Sequence, residues 1–302
     1  MAKTVTLYSK TNGLNNYADP TRIMYDMQSG TIDLAEAYNV DVDSSGRLSM
    51  RKGFTATART EEIGKVFCKG GECLFVSGSV LYKLNEDYTR TSLKTGLTSG
   101  LEMYYEQVGN RIYYSNYVER GYVLNGVAYD WVVGTYVGPT TYKVFHDPPP
   151  CSIICFHSGR LYLVSADVIW YSEPFAYGWF DTARSFIPLG SNIRMLCSVG
   201  SGMFVGLEDG VWFLNGTTPA SFSFAKAADS PVVSGTDVVG YGVKLGEGGV
   251  SGSVAFWTAQ DGIYAGFPSG EAKNLTKNRL VFPASAKGCA VLNGNKYLTL
   301  LR

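Results

Sequence analysis

Few residues in this chain are of a type and spacing that could do chemistry, and the best cluster is short. His146, Cys151, Cys155 and His157 lie close together, and imidazole with thiolate is a zinc ligand set. The spacing argues against it. Four residues separate Cys68 from Cys73 and three separate Cys151 from Cys155, so neither pair is the Cys-x-x-Cys knuckle of structural zinc sites. A strand through Cys155 and His157 would also send neighbouring side chains to opposite faces. The expectation is no metal, with all six cysteines (Cys68, Cys73, Cys151, Cys155, Cys197 and Cys289) as buried reduced thiols. Asp41, Asp43, Ser45 and Gly46 begin like a calcium loop, but the twelfth position is Lys52 where a bidentate Glu is needed. A plain hairpin turn is expected there.

Acid–base chemistry has candidates but no pattern. Glycosidases need two facing carboxylates, and nothing in the spacing of Glu106, Asp130, Glu173, Asp181 and Glu208 selects a pair. They read as solvated loop carboxylates. A Gly-x-Ser-x-Gly elbow and a phosphate-binding Gly-x-x-x-x-Gly-Lys loop are both missing. The run Gly246-Glu-Gly-Gly-Val-Ser-Gly252 reads as a flexible hairpin loop. Trp131, Trp170, Trp179 and Trp212 could serve as sugar platforms, which keeps a glycan-binding or glycan-cleaving protein as the alternative reading. On strand positions such aromatics more often pack between sheets. No enzyme activity and no cofactor are expected.

The elements that position these residues announce themselves by repetition. A turn glycine followed by aromatic and β-branched residues returns at Gly71, Gly109, Gly159, Gly202, Gly252 and Gly294. That period suits four short strands per unit, as in a propeller blade. A second phrase follows at Val80-Leu-Tyr82, Val168-Ile-Trp170, Val211-Trp-Phe213 and Ile263-Tyr264, the last two after Asp209-Gly210 and Asp261-Gly262. Asp-Gly between apolar runs signals a hairpin whose central residues have positive φ. The expected class is all-β, a propeller of about six four-stranded blades. Blades are expected over 64–100, 101–139, 151–191, 192–235 and 236–276, with the proline-rich stretch 137–150 as a rigid connector.

The ends of the chain remain. A hairpin at 287–302 has only half the strands of a blade, and 37–54 reads as a second hairpin. Pairing the two would make a composite last blade and cover the free edges. Residues 1–36 are then an N-terminal arm, whose stretch 13–22 is polar, nearly irregular and expected to order against a neighbour, and 37–302 the propeller.

Basic and acidic residues balance at 26 each, so no global field recruits nucleic acid or an acidic membrane. No apolar run reaches the ~18 residues of a membrane span, and the first residues lack a secretory apolar core. A soluble protein made in a cytoplasm is expected.

Residues 11–22, Thr-Asn-Gly-Leu-Asn-Asn-Tyr-Ala-Asp-Pro-Thr-Arg, and residues 33–54, together with Tyr105-Glu-Gln-Val-Gly-Asn-Arg-Ile-Tyr-Tyr-Ser-Asn116, resemble the β-propeller nozzle or tail-hub proteins of short-tailed bacteriophages, also called packaged-DNA stabilisation proteins. The resemblance covers about the first 120 residues by motif and the rest by rhythm. It implies a virion tail protein assembled in the host cytoplasm as a ring, commonly of six copies. The ring would sit below a portal or adaptor, meet other tail proteins, and hold packaged DNA in its lumen. A balanced charge suits a conduit through which DNA must slide. The free surfaces of such a subunit are its loops and its arm, so the candidate subunit interface comprises Asn15, Asn16, Asp19 and Arg22 of the arm and an exposed aromatic loop at Trp179 and Phe180.

Overall fold

A computed structural model describes residues 10–43, 45–53, 65–135, 142–245, 248–249, 251–283, 287–294 and 296–301. Two-residue turns set its period. Gly70-Gly71, both at positive φ, join the strands Phe67–Lys69 and Glu72–Ser77. The same place is taken by Gly109-Asn110, Ser158-Gly159 and Gly200-Ser201. In the first three of these turns glycine at positive φ supplies the left-handed backbone at no steric cost.

Among the described residues these turns build five four-stranded antiparallel sheets. The first is Phe67–Lys69, Glu72–Ser77, Val80–Leu84 and Arg90–Lys94; the second Tyr104–Val108, Arg111–Ser115, Arg120–Leu124 and Val127–Asp130. The third is Ile153–His157, Arg160–Ser165, Val168–Tyr171 and Phe186–Pro188; the fourth Met195–Val199, Gly202–Leu207, Gly210–Asn215 and Ser223–Ala228. The fifth is Val238–Tyr241, Ser253–Ala259, Gly262–Gly266 and Ala272–Asn274, with a short ladder of Lys244–Leu245 and Gly248–Gly249 inserted after its first strand. Each sheet falls inside one expected interval. The first strands of the second to fifth sheets approach one another in series, so they are the inner strands. Each sheet packs on the next through its own apolar seam: Leu74, Leu81 and Ile112 between first and second, Tyr113, Trp131 and Leu163 between second and third, Tyr162, Leu196 and Val205 between third and fourth, Phe204 and Trp257 between fourth and fifth. The chain is an all-β propeller.

The Asp-Gly phrases sit one residue off their expected place. In the fourth sheet Leu207 pairs with Gly210, and in the fifth Ala259 pairs with Gly262. The turns are therefore Glu208-Asp209 and Gln260-Asp261, and each glycine opens the returning strand. A Cβ on Gly210 would lie 2.3 Å from the Ala228 carbonyl oxygen, and one on Gly262 would lie 2.5 Å from Asn274 Oδ1. The aspartates hold the next aromatic: Trp212 Nε1 donates to Asp209 Oδ1 (3.1 Å) and the Tyr264 hydroxyl to Asp261 Oδ2 (2.7 Å).

The composite last blade is not what joins the ends. Among the described residues the N-terminal hairpin, Val40–Val42 with Leu48–Met50, and the C-terminal hairpin, Gly288–Asn293 with Lys296–Leu301, are separate two-stranded sheets. Residues 44, 54, 295 and 302 of that expectation lie outside the described residues. The tip of the N-terminal hairpin is drawn to the arm instead, where Thr11 N donates to the Gly46 carbonyl (2.8 Å). The described arm begins and ends in a short parallel ladder, Lys10–Leu14 with Thr31–Leu34, and between them residues 15–22 hold no strand, only the single helical turn Pro20–Arg22. The C-terminal hairpin lays Leu292 and Tyr297 on Val254 and Phe256 of the fifth sheet, and the Tyr297 hydroxyl donates to the Thr236 carbonyl (2.6 Å).

Two further expectations change. Cys68 and Cys73 face each other across the first two strands of the first sheet, with Cα atoms 4.2 Å apart, and form a disulfide. Directly opposed positions bring Cβ atoms within bridging reach. Cys151, Cys155 and Cys197 are buried free thiols, but Cys289 is exposed.

Candidate functional site: a terminal clasp and an axial carboxyl

The arm residues act first within their own chain. Asn15 Nδ2 donates to Asp33 Oδ2 (2.8 Å), and Asp33 Oδ1 takes the Arg279 guanidinium at 3.0 Å. Asn16 N donates to the Arg279 carbonyl (3.0 Å), while its side chain gives to the Val281 carbonyl (3.0 Å) and takes from Val281 N (2.9 Å). Arg279 also donates to the Asn12 carbonyl (2.8 Å). This clasp ties the arm to the segment that leads into the C-terminal hairpin. A side-chain amide that both donates to and accepts from one backbone residue mimics a strand rung.

Asp19 is committed to its own turn, accepting from Thr21 N (2.9 Å) and Thr21 Oγ1 (2.7 Å). These bonds hold its carboxyl below the ordinary range, the hydroxyl first and the amide second. Arg22 is exposed. The Trp179–Phe180 loop is not an exposed aromatic surface. Phe180 is fully buried among Trp131, Cys151 and Leu161, because the connector pairs with it: His146 N donates to the Phe180 carbonyl at 2.9 Å. Trp179 is half-buried and stacks on Phe145, ring centroids 5.5 Å apart.

The metal cluster does not assemble either. Cys151 belongs to the second–third seam and Cys155 to the third–fourth. His157 is buried with Nε2 2.9 Å from the Gly216 carbonyl and Nδ1 2.9 Å from Ser198 Oγ. A carbonyl only accepts, so Nε2 carries the proton and Nδ1 takes one from the hydroxyl. Burial pushes this imidazole below its ordinary pKa. Among the described residues no group of three or more His, Cys, Asp or Glu is placed to hold a metal ion. Asp43 spends Oδ1 on Ser45 N, Ser45 Oγ and Arg47 N, the work of a turn residue.

Four of the five candidate carboxylates have structural roles. Asp130 pairs with Lys94 at 2.9 Å, Glu173 with Lys143 at 2.6 Å and Glu208 with Arg194 at 3.6 Å. Asp181 is buried, accepting from Ala183 N (3.3 Å). The tryptophans pack: Trp131 is buried, Trp170 lies on Phe186, and Trp212 is held by Asp209.

Glu106 stands apart. Counting rungs from the two-residue turns, the third rung of the inner hairpin pairs Phe67 with Leu74, Glu106 with Tyr113, Cys155 with Tyr162 and Cys197 with Phe204. This rung contributes to the apolar seams in each of the first four sheets, and among these only the second places a carboxyl there. Glu106 is half-buried, and removal from water pushes its carboxyl up to about 7, with Lys69 opposing. Cys155 and Cys197 lie within electrostatic reach of it and of Asp237, and their own burial drives both thiols well above the usual range. Cys197 Sγ donates to Asp237 Oδ2 at 3.5 Å. Aligning the repeats on their turns would have exposed this residue, because it puts Glu106 in one column with Phe67, Cys155 and Cys197.

No protein-family model matches the chain, and no curated protein matches it in sequence. Solved structures similar in fold include the extracellular domain of a protein described as a hybrid two component system, BT4673 from B. thetaiotaomicron, at 14% identity and TM-score 0.51 over 82% of this chain. This chain spans 32% of that structure. BBS1N, in its complex with ARL6DN, is similar at 10% identity and TM-score 0.50, over 87% of this chain and 83% of that one. At these identities the likeness is one of fold, and the fold is the propeller.

Proposed function

We propose that this protein is a structural component of a bacteriophage tail, a nozzle or hub ring below the portal or adaptor that forms part of the DNA conduit and retains packaged DNA. The observation that carries the reading is where large apolar side chains remain exposed. Tyr17, Met24, Met27, Tyr38 and Met50 all stand on the first fifty residues, each at least 60% exposed. Over the much longer remainder Tyr88, Tyr142, Val144, Phe175, Tyr241 and Leu300 reach that level singly on separate segments or, for Tyr142 and Val144, on the connector. Exposed apolar side chains at this density along one stretch of chain suit a contact with other macromolecules. The same region carries most of the resemblance to tail-hub proteins, and the clasp through Asn16 and Arg279 holds it in one place for a partner to meet. Balanced charge fits a subunit past which DNA slides without being gripped.

The test is mass spectrometry of purified particles with antibody labelling in the electron microscope. The reading expects the chain in particles, at ring stoichiometry, at the tail. Its absence from particles, with a purified chain that stays monomeric, would contradict the reading.

A further inference from the structure

Rungs counted from the inner turn tell which way each residue points. In the second, third and fourth sheets the second rung carries Ile112, Leu161 and Met203, which face back onto the preceding sheet. The third rung carries Tyr113, Tyr162 and Phe204, which face forward onto the next. Strand alternation imposes this, since neighbouring rungs lie on opposite faces.

The C-terminal hairpin obeys the same rule. Its second rung, Leu292 with Tyr297, faces back onto Val254 and Phe256 of the fifth sheet. Its third rung, Val291 with Leu298, and its fifth, Cys289 with Leu300, therefore face forward, and all four residues are exposed. At the other end of the row Leu74, on the third rung of the first sheet, faces forward into the seam with Ile112. The second rung there is Cys68 with Cys73, so this pair points back, and the first sheet has no earlier four-stranded sheet to meet. Cys68 is exposed and Cys73 half-buried. Phe75 shares their face, buried in a stack on Tyr82. The row of sheets ends in two unmatched faces, one forward and one back, of the kinds that meet in every internal seam. Within one chain they do not cover each other, since Leu300 stays 69% exposed.

We propose that the forward face of the C-terminal hairpin docks on the back face of the first sheet of a second copy, carrying the seam pattern from one chain into the next. The two surfaces differ, so the contact is head-to-tail, and its repetition closes a ring or runs on as an open row. This deepens the ring reading and rests on it for the presence of further copies.

Sedimentation of the parent and of Leu300→Glu over a concentration series tests the contact, with maleimide labelling of Cys289, located by mass spectrometry, as the local readout. Position 300 is exposed, so the variant should melt with the parent. The parent should self-associate, and its Cys289 should label several-fold more slowly as it does; Leu300→Glu should stay monomeric and label fast throughout. A tagged Leu300→Glu chain keeps its first sheet, so it should capture a parent copy but not a second copy of itself. A parent that associates while Cys289 labels as fast as in the variant would overturn this contact and leave a ring built through another surface. A parent that stays monomeric would overturn it too, with the tail reading then judged separately by the composition of particles. Slow Cys289 labelling in a monomeric parent would give the face to this chain's own N-terminal hairpin and contradict a second copy.

Discussion

The inner sheets and the two ends of the chain are built from similar apolar strands, yet one set is covered on both faces and the other on one. In the fourth sheet every residue of Gly202–Leu207 is buried, and in the fifth every residue of Ser253–Ala259 is. Phe204 packs on Phe213 and Trp257 at ring distances of 4.8 and 5.4 Å. In the C-terminal hairpin burial alternates along both strands, because only one of its faces is covered. Leu292 and Tyr297 meet the fifth sheet, while Val291, Leu298 and Leu300 are 55%, 43% and 69% exposed. In the N-terminal hairpin Met50 is 81% exposed. Alternation guarantees a sheet with an apolar face, and a neighbouring sheet decides whether that face stabilises the monomer or is left for a partner.

The sharpest way to break this comparison is to cut the same chemistry out of both regions. Phe204→Ala should cost about 3–5 kcal/mol, since a buried aromatic leaves a cavity that its neighbours fill only in part. Leu300→Ala should stay within about 0.5 kcal/mol. Thermal melts of both variants check this, and equal losses would dissolve the distinction.

Glycines sharpen it further. Gly210→Ala should destabilise by about 2 kcal/mol, because φ is +138° and the new methyl meets the Ala228 carbonyl. Gly294 has φ +59° and open space around its Cβ position, so Gly294→Ala should cost about 1 kcal/mol from the backbone alone. Denaturant midpoints would show the order.

These glycines also show what the sequence makes legible. The recurrence of turn glycines reveals the sheets and their boundaries, because in the first four a two-residue turn sits at a fixed rung of the inner hairpin. The same local signal misplaces the Asp-Gly turns by one residue: the demand for glycine at 210 and 262 comes from Ala228 and Asn274 on the neighbouring strand, far along the chain. Long-range pairing is likewise invisible in composition. Nothing local to Asn16 announces Arg279 and Val281, and nothing local to Phe180 announces that the connector at His146 will cover it. Glu106 was legible only as a column of the repeat.

Arg279 should matter locally. The Asp33 ion pair is about a quarter to a third exposed, so screening limits it to about 1 kcal/mol or less. Asn16→Ala with Arg279→Ala should therefore leave the main melting transition within a few degrees. Limited proteolysis should cut residues 10–34 faster than in the parent. Unchanged cleavage would mean the clasp does not hold the arm.

The smallest effect concerns His157. Its folded pKa lies below the unfolded value of about 6.5. Its contribution is present above that pH and lost as pH falls. His157→Gln should weaken the acid-side decline in melting temperature below about pH 6.5. A decline as steep as the parent's would assign it to other groups.

Methionine oxidation tests the central claim most directly, because the chain carries its own controls. Met24, Met27 and Met50 are 79%, 90% and 81% exposed, whereas Met103, Met195 and Met203 are buried in the seams. Peroxide converts accessible methionine to sulfoxide, and peptide mass spectrometry reads each site. In the isolated chain the first three should oxidise and the last three should not. In purified phage particles the account expects Met24, Met27 and Met50 to become protected while Met103, Met195 and Met203 stay unchanged. Equal oxidation of the exposed three in both samples would contradict an assembly role for the N-terminal region.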